Sequence, residues 1–600
     1  MAAATQKDHI EEMRRCTFSI RGLAYPPTED NNLHAQHNLS ADDELYFEED
    51  DHLHFLMELI QQPTYAILDA IFIMDHSETV SLCFSTGVRL HISDPPYLTV
   101  GGNLCGTEIA EENEYEMGVE PSLEFVFTSE DITQTAAKAT LLIFNNEKAF
   151  TRQNIESSCS VGFTGQYDHI GKKGIGFKSV FAVTSHPFIF SNGYQIRFTE
   201  EPGAQCEGRY IVPEWVGNDH PVFARIKRTY GSSASLPTTT LVLPLYSHKV
   251  NSVKRQLSNI NPEFLLFLSN IRKLSVREDN AEQELNTVTT ISISSEKTLV
   301  TKKSINAESY VLILSSDEDK GYKECSYHMW TQRFPVKKEC GDVQRMGIDD
   351  WVITLAFPHG ERLTRGNRSV GIFAFLPTKM VTNFPFVIQS DFLLSSSKDE
   401  ILLDSRWNKE ILDCIPVAFM SAFTSLVKAN DNAPVSSLIE MFHFLPVHTS
   451  PYPRLNASVR DTIKAKLVEE DIVPCQSYTN QKIFRKPCQV GRLLPAFRKL
   501  LNKARKHRVT FHNLSIRGKY ILNSAFDNEK YNGVLKFLEV EKVEPEWYFE
   551  CISNHCMGRS TDLDAQLLLF VADNWGSSLF DINTGNLSLL NNFSLLSLPC

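Results

Sequence analysis

The 600-residue chain has no run of 18 or more apolar residues, so no helical membrane span is expected. The opening MAAATQKDHIEEMRR has charges but no apolar core behind them, and so does not read as a secretory signal. No two of the 13 cysteines form a CxxC pair. A scattered, odd-numbered set from Cys16 to Cys600 speaks for reduced thiols in a nuclear or cytoplasmic setting, against a disulfide framework or a zinc site. An excess of positive charge is also missing. With 59 Lys and Arg against 73 Asp and Glu the net charge is −14, which disfavours broad nucleic-acid binding while leaving local patches open.

What is present is ordinary globular composition, 42% hydrophobic and 22% charged, in a chain long enough for roughly four domains. The pattern predicts an α+β protein. Residues 1–40 read as a short helix and a strap with a Pro26-Pro27 break. The acidic run Asp42–Asp51 precedes HLHFLMELIQQ, where Leu53, Leu56, Leu59 and Ile60 recur at helical spacing. Carboxylates ahead of a helix favour its positive end, and a solvated cap is the commonest meaning of such a run. Glu58 lies within this helix, either at the edge of its apolar stripe or facing a cavity, and Pro63 ends it.

Residues 63–109 mix short apolar runs with Pro-Pro and Gly-Gly. SLEFVFTS and ATLLIFNN come next as strands, the second closing on Asn145 and Asn146. Gly171–Ser179, GKKGIGFKS, then places three glycines and several lysines ahead of a helix-competent run. Glycines so spaced let backbone amides turn toward an anion, although a bare turn is the more frequent meaning of such a stretch. HPFIFSNGYQIRF is a hairpin around Asn192-Gly193, and TTTLVLPL is a threonine-led strand. Helical sequence broken at Pro262, more strands to about residue 400, and a helical run from Arg406 make a second α+β domain. LLPAFRKLLNKARKHR carries an apolar face and a basic one, a surface helix or, less often, a nuclear-localisation or phosphate-contact patch.

The order of these pieces resembles the nucleotide-binding domain shared by DNA gyrase, the ninety-kilodalton heat-shock chaperones, histidine kinases and MutL. FLMELIQQ (Phe55–Gln62) is similar to the chaperones' first motif. Gly171, Gly174, Gly176, Phe177 and Ser179 fill the fixed places of their lid motif, and Thr239, Leu241 and Leu243 those of a late strand. More closely, NLSADDELYF, AEENEY, ATLLIFNNEK, GKKGIGFKSVF, FSNGYQIRF, LPTTTLVLPL, FLPTKMVTNFPFVIQSDFLLSSSKDEILL and IVPCQSY resemble the plant NO VEIN family. The material after the ATPase-like domain also resembles sacsin repeats.

The resemblance implies a two-layer ATPase-like sandwich, a mixed sheet with helices on one face, over residues 41–250, with 63–109 inserted. It implies a sacsin-like domain over 251–430 and a less regular, mostly helical region over 431–600. It further implies ATP and Mg²⁺ as ligands. Glu58 would polarise the attacking water, and Gln62 would stand where the family's Mg²⁺-binding asparagine stands. Asn145 and Thr239 would meet the adenine end, while Gly171, Gly174 and Gly176 would cradle the phosphates. Lys172, Lys173 or Lys178 would add charge, Lys173 being carried forward as the contact. A protein client or partner, a homodimer, and a chaperone-like or regulatory role in plant development go with the family. Three departures stand against hydrolysis. Gln62 adds a methylene where Mg²⁺ demands near-ideal geometry, 63–109 interrupt the motif, and Asn145, Glu147 and Ala149 replace an Asp-x-Gly-x-Gly. A chain that keeps the fold as an interaction scaffold is the alternative.

Overall fold

In the computed structural model the described residues are 2–20, the strands of 71–92, and 115–574 apart from several gaps, chiefly 156–179 and 199–212. The chain divides into two compact units, 1–381 with 387–411, and 382–386 with 412–600. Within 63–109, β1 (Ile71–Met74), β2 (Val80–Cys83) and β3 (Arg89–Ile92) form an antiparallel sheet of their own.

The first unit is organised on a 14-stranded sheet. Its first part is β4 (Ser122–Thr128), β5 (Thr140–Asn145), β6 (Phe188–Ser191), β7 (Tyr194–Arg197), β8 (Glu214–Trp215) and β9 (Thr239–Pro244). Its second part is β10 (Lys273–Asp279), β11 (Val288–Lys302), β12 (Ala307–Glu318), β13 (Gly321–Pro335), β14 (Asp350–His359), β15 (Ile372–Ala374), β16 (Leu376–Pro377) and β17 (Val387–Gln389). From edge to edge the order is β16-β15-β17-β14-β13-β12-β11-β10-β4-β5-β9-β6-β7-β8, a mixed sheet in which β10 runs parallel to β4 and β15 to β17. The divide expected at residue 250 therefore does not interrupt the sheet. Seven residue pairs, Lys273↔Ser122 to Asp279↔Thr128, join the two parts, because Leu274 has a buried place beside Leu123.

Alternation along β5 and β9 gives the sheet two buried faces. Leu141, Ile143, Leu241 and Leu243 pack on one face with Ile10 of α1 (Ala2–Ile20). Leu142, Phe144 and Val242 pack on the other with Val222 and Ile226 of α2 (Val222–Tyr230). Val253 and Leu257 of α3 (Val250–Ser258) join the first face. The expectation of helices on one face alone is thus corrected: α2 covers the second, since the even-numbered positions of β5 are as apolar as the odd ones. Each fully buried Leu, Ile or Phe adds roughly 2 kcal/mol, so neither face can be left bare.

The expected hairpin is present, with Asn192 and Gly193 both at positive φ (49° and 77°), the conformation that a two-residue turn of this hand requires. The break at Pro262 is also present. Asn261 accepts from the Glu263 amide and starts a 3₁₀ turn, Pro262–Leu265, that packs on β11 and β12. Glu263, 2% exposed, is there held by Arg362 at 2.6 and 2.5 Å and by the Tyr327 hydroxyl at 2.6 Å. α4 (Arg406–Lys428) has the length and composition of a membrane span, yet Trp407, Ile411, Ile415, Phe419 and Phe423 along it are buried within the protein.

The second unit gathers Phe497, Leu501, Trp547, Tyr548, Leu567 and Phe570 from α5 (Pro495–Lys506), α6 (Pro545–Cys551) and α7 (Thr561–Asp573), with Leu493 from just before α5. The basic face of α5 is partly neutralised there: Arg498 pairs with Asp527 at 2.6 Å and Lys503 with Asp562 at 2.6 Å. Short strands sit beside these helices, in a two-stranded and a three-stranded sheet.

Candidate functional site

Of the residues singled out from the sequence, the structure describes Asn145 and Thr239. Glu58, Gln62, Gly171, Lys173, Gly174 and Gly176 lie outside the described residues, as do Lys172 and Lys178. The two that are described come together. Asn145 ends β5 and Thr239 begins β9, and they are direct cross-strand partners. Ser191, the last residue of β6, is the partner of Thr239 on its other side. By the period of two, Asn145, Thr239 and Ser191 continue the rows of Ile143, Leu241 and Ile189, all on the face that α1 and α3 cover. Three apolar rows thus terminate in one polar line.

Hydrogen bonds fix that line. The Ser191 and Thr239 hydroxyls are 2.8 Å apart, and the Phe150 amide donates to Ser191 Oγ at 2.9 Å. Asn192 Nδ2 donates to the Phe150 carbonyl at 2.7 Å, tying the hairpin turn to the segment after β5. The Thr238 hydroxyl donates to the carbonyls of Asn145 and Glu147. Asn146 turns outward, accepting from the Ser122 amide at 2.8 Å and donating to the Glu120 carbonyl at 2.7 Å.

Asn145 differs from its neighbours. It is 1% exposed, and the Tyr115 hydroxyl donates to its Oδ1 at 3.2 Å, but its Nδ2 is buried with no hydrogen-bond partner among the described residues. An unmet buried donor costs about 1–3 kcal/mol, so it is kept where a further group satisfies it. That orphan atom is a donor that an acceptor on a nucleotide base would meet. For a metal there is no such observation, as no group of three or more His, Cys, Asp or Glu is placed to hold one among the described residues.

The glycine-rich stretch is connected to the same face through the residues immediately C-terminal to it. Val180 and Phe181, directly after Ser179, are 0% and 5% exposed and belong to the cluster of Ile143 and Leu241. The Val183 carbonyl receives the Tyr246 amide at 2.9 Å, just past β9.

The sequence of these elements can now be set beside known proteins. The chain is similar to Protein NO VEIN of Arabidopsis thaliana. Identity is 28% over 395 residues, which take in 62% of this chain and 13% of NO VEIN, so the chain spans about an eighth of that protein's length. No protein-family model matches the chain. A crystal structure of the N-terminal domain of a DNA repair protein aligns with 51% of the chain and 90% of its own length at 10% identity. Its TM-score is 0.27, too loose for any argument.

Ser191, Thr238 and Tyr115 were not singled out from sequence. Ser191 carries a signal, its place just before the Asn192-Gly193 turn, and Thr238 sits in the threonine run. Tyr115 carries none, because nothing in the local pattern ties it to Asn145, 30 residues on.

Proposed function

We propose that residues 41–250 form a nucleoside-triphosphate-binding domain, with ATP and Mg²⁺ as the ligands that the resemblance implies. The observation that carries this reading is the polar line Asn145–Thr239–Ser191 with its unmet donor. It lies on the sheet face that also receives Val180 and Phe181 from beyond the glycine-rich stretch. Bound there, the triphosphate supplies the phosphoanhydride bond. Asn145 and Thr239 meet the base, the amides of Gly171, Gly174 and Gly176 with Lys173 hold the phosphates, and Glu58 orients water. Positioning and charge stabilisation then do most of the catalysis. The domain serves a chaperone-like or regulatory protein of the NO VEIN kind, nuclear or cytoplasmic, acting on a protein partner and competent to form homodimers.

The test is calorimetry or a thermal-shift titration of the full chain with Mg-ATP. A ligand at 100 times its dissociation constant adds about 2.7 kcal/mol of stability. Absence of any shift with nucleoside triphosphates refutes the reading. Slow phosphate release that disappears in Glu58→Ala supports hydrolysis.

A second reading has its own observations. Gln62 stands in the place of an asparagine, and the material after it builds the separate sheet β1–β3. Under this reading the domain is an interaction scaffold that binds nucleotide weakly or not at all and does not hydrolyse it. Weak or absent binding without phosphate release favours the scaffold, and a shift as large as about 2.7 kcal/mol counts against it.

A further inference from the structure

We infer that the stretch 472–526 supplies a cationic surface of the second unit that binds single-stranded nucleic acid, its phosphates held by lysine and arginine and its bases by planar side chains. In a chain whose net charge is −14, this stretch holds six lysines and six arginines and no aspartate or glutamate. Carboxylates from outside it offset only part of that excess. Asp527, with a side chain 8% exposed, is shared by two arginines, Arg492 at 2.9 Å and Arg498 at 2.6 Å. The pairs Lys486–Glu469, Lys503–Asp562 and Arg517–Glu550 lie at the surface, where an ion pair contributes little and yields readily to a phosphate. Lys499 and Lys506 are exposed and have no ion pair among the described residues.

The fold gathers these charges. β18 (Val473–Cys475) pairs with β19 (Ile483–Arg485), while β20 (Val490–Gly491), β21 (Ser515–Ile516) and β22 (Lys519–Ile521) form the three-stranded sheet. Cys475 bridges to Leu522, and Arg498 donates to the Leu522 carbonyl at 3.1 Å, so both sheets and the start of α5 meet at one residue. Nearby, the Arg485 guanidinium lies over the Tyr520 ring, 4.7 Å from its centroid. Lys519 Nζ donates to the Cys488 carbonyl, two residues beyond Lys486. On α5, Phe497, Leu500, Leu501 and Ala504 are buried, which leaves Lys499, Lys503 and Lys506 as a stripe at helical spacing on the other side.

A row of cations with no carboxylate among them suits a repeating anion, whose condensed counterions it displaces. The Arg485–Tyr520 stack and the half-buried Phe484 add flat side chains of the kind on which unpaired bases stack. A lipid surface is the weaker match, because among the described residues of this stretch no large apolar side chain is exposed to enter the bilayer interface. An acidic peptide would meet the charges and leave the flat side chains unused.

The test is fluorescence anisotropy of a labelled single-stranded RNA of about 20 nucleotides and mixed sequence, titrated with the full chain from about 50 to about 200 mM salt. Binding at low salt that falls steeply as salt rises is expected. Lys499→Gln with Lys506→Gln should weaken it about tenfold or more at the low-salt end. The same pair should lower the slope of log K against log salt by about 1.4, at ~0.7 per phosphate. Lys227→Gln with Lys273→Gln, exposed in the first unit, removes as much charge and should change neither quantity. Arg485→Lys keeps the charge and removes the plane, so it should weaken binding about fivefold or more with the slope unchanged. Circular dichroism establishes that each variant folds. No binding of the RNA at low salt, or binding of phosphatidylserine vesicles or polyglutamate in its place, overturns the inference. An equal loss in both lysine pairs overturns it too, and unchanged affinity in Arg485→Lys overturns the role of base stacking.

Discussion

Arg362→Met separates the physics of the 14-stranded sheet from its hydrophobic burial. Arg362 and Glu263 meet in a two-pronged ion pair, Nε to Oε1 at 2.6 Å and Nη2 to Oε2 at 2.5 Å, with side chains 13% and 2% exposed. The Tyr327 hydroxyl donates to Oε1 at 2.6 Å, and Arg362 Nη2 also donates to the Val370 carbonyl at 2.9 Å. Burial and the adjacent Glu263 carboxylate push the Tyr327 hydroxyl far up from its ordinary value, so it stays a donor at any working pH. Arg362→Met keeps most of the aliphatic stem, removes the charge, and leaves Glu263 with Tyr327 alone. Stripping one partner from a buried pair costs about 3–5 kcal/mol, because the remaining charge has lost its compensation. Replacing both, as in Glu263→Leu with Arg362→Met, should recover most of that loss. The assay is a urea titration read by tryptophan emission, since Trp330 and Trp351 are buried in strands of the same sheet. The reasoning fails if the single variant loses under about 1 kcal/mol, or if the double variant is no more stable than the single one.

Two more outcomes are expected in other parts of the molecule. His328, 6% exposed on β13, is held neutral by burial, with His359 also opposing its charge, so its pKa is pushed down to about 4. An unfolded histidine takes up its proton near pH 6.5. Between these values the unfolded chain binds more protons, so stability is full above pH 6.5 and falls as pH drops toward 4. The loss is of order 3 kcal/mol and should be largely absent in His328→Phe, as urea midpoints across that pH range will show. In the second unit, a Cβ placed on Gly491 would lie 2.2 Å from Val543 Cγ1. Gly491→Ala should therefore destabilise by about 1–3 kcal/mol, and Val543→Ala in the same chain should relieve part of it, measured by thermal denaturation.

Elements whose signal is local were legible in the sequence. The Asn192-Gly193 turn needs two positive φ angles, and that pair of residues adopts them readily. The strands ending at Asn145 and starting at Thr239 were readable from their apolar, β-branched and aromatic runs, and the break at Pro262 from the missing amide hydrogen. The parallel pairing of β10 with β4 was not readable. It joins residues about 150 positions apart, and no short pattern encodes which of many similar strands lies alongside. The same holds for α2 on the second face, where the sequence shows an apolar stripe without saying which side of the sheet it meets.

The sequence by itself determined the kinds of residues available at the candidate site: an asparagine ending one strand, a threonine opening another, and a glycine-rich stretch between them. Periodicity also determined that Asn145 and Thr239 continue buried rows, because side chains alternate strictly along a strand. Only the tertiary structure decided that the two are paired, that Ser191 completes their line, and that the Tyr115 hydroxyl takes one end of the Asn145 amide and leaves the other unmet. Composition can supply a carboxamide. Which of its two ends faces a ligand depends on a hydrogen bond from a residue 30 positions away, and that is a property of the fold.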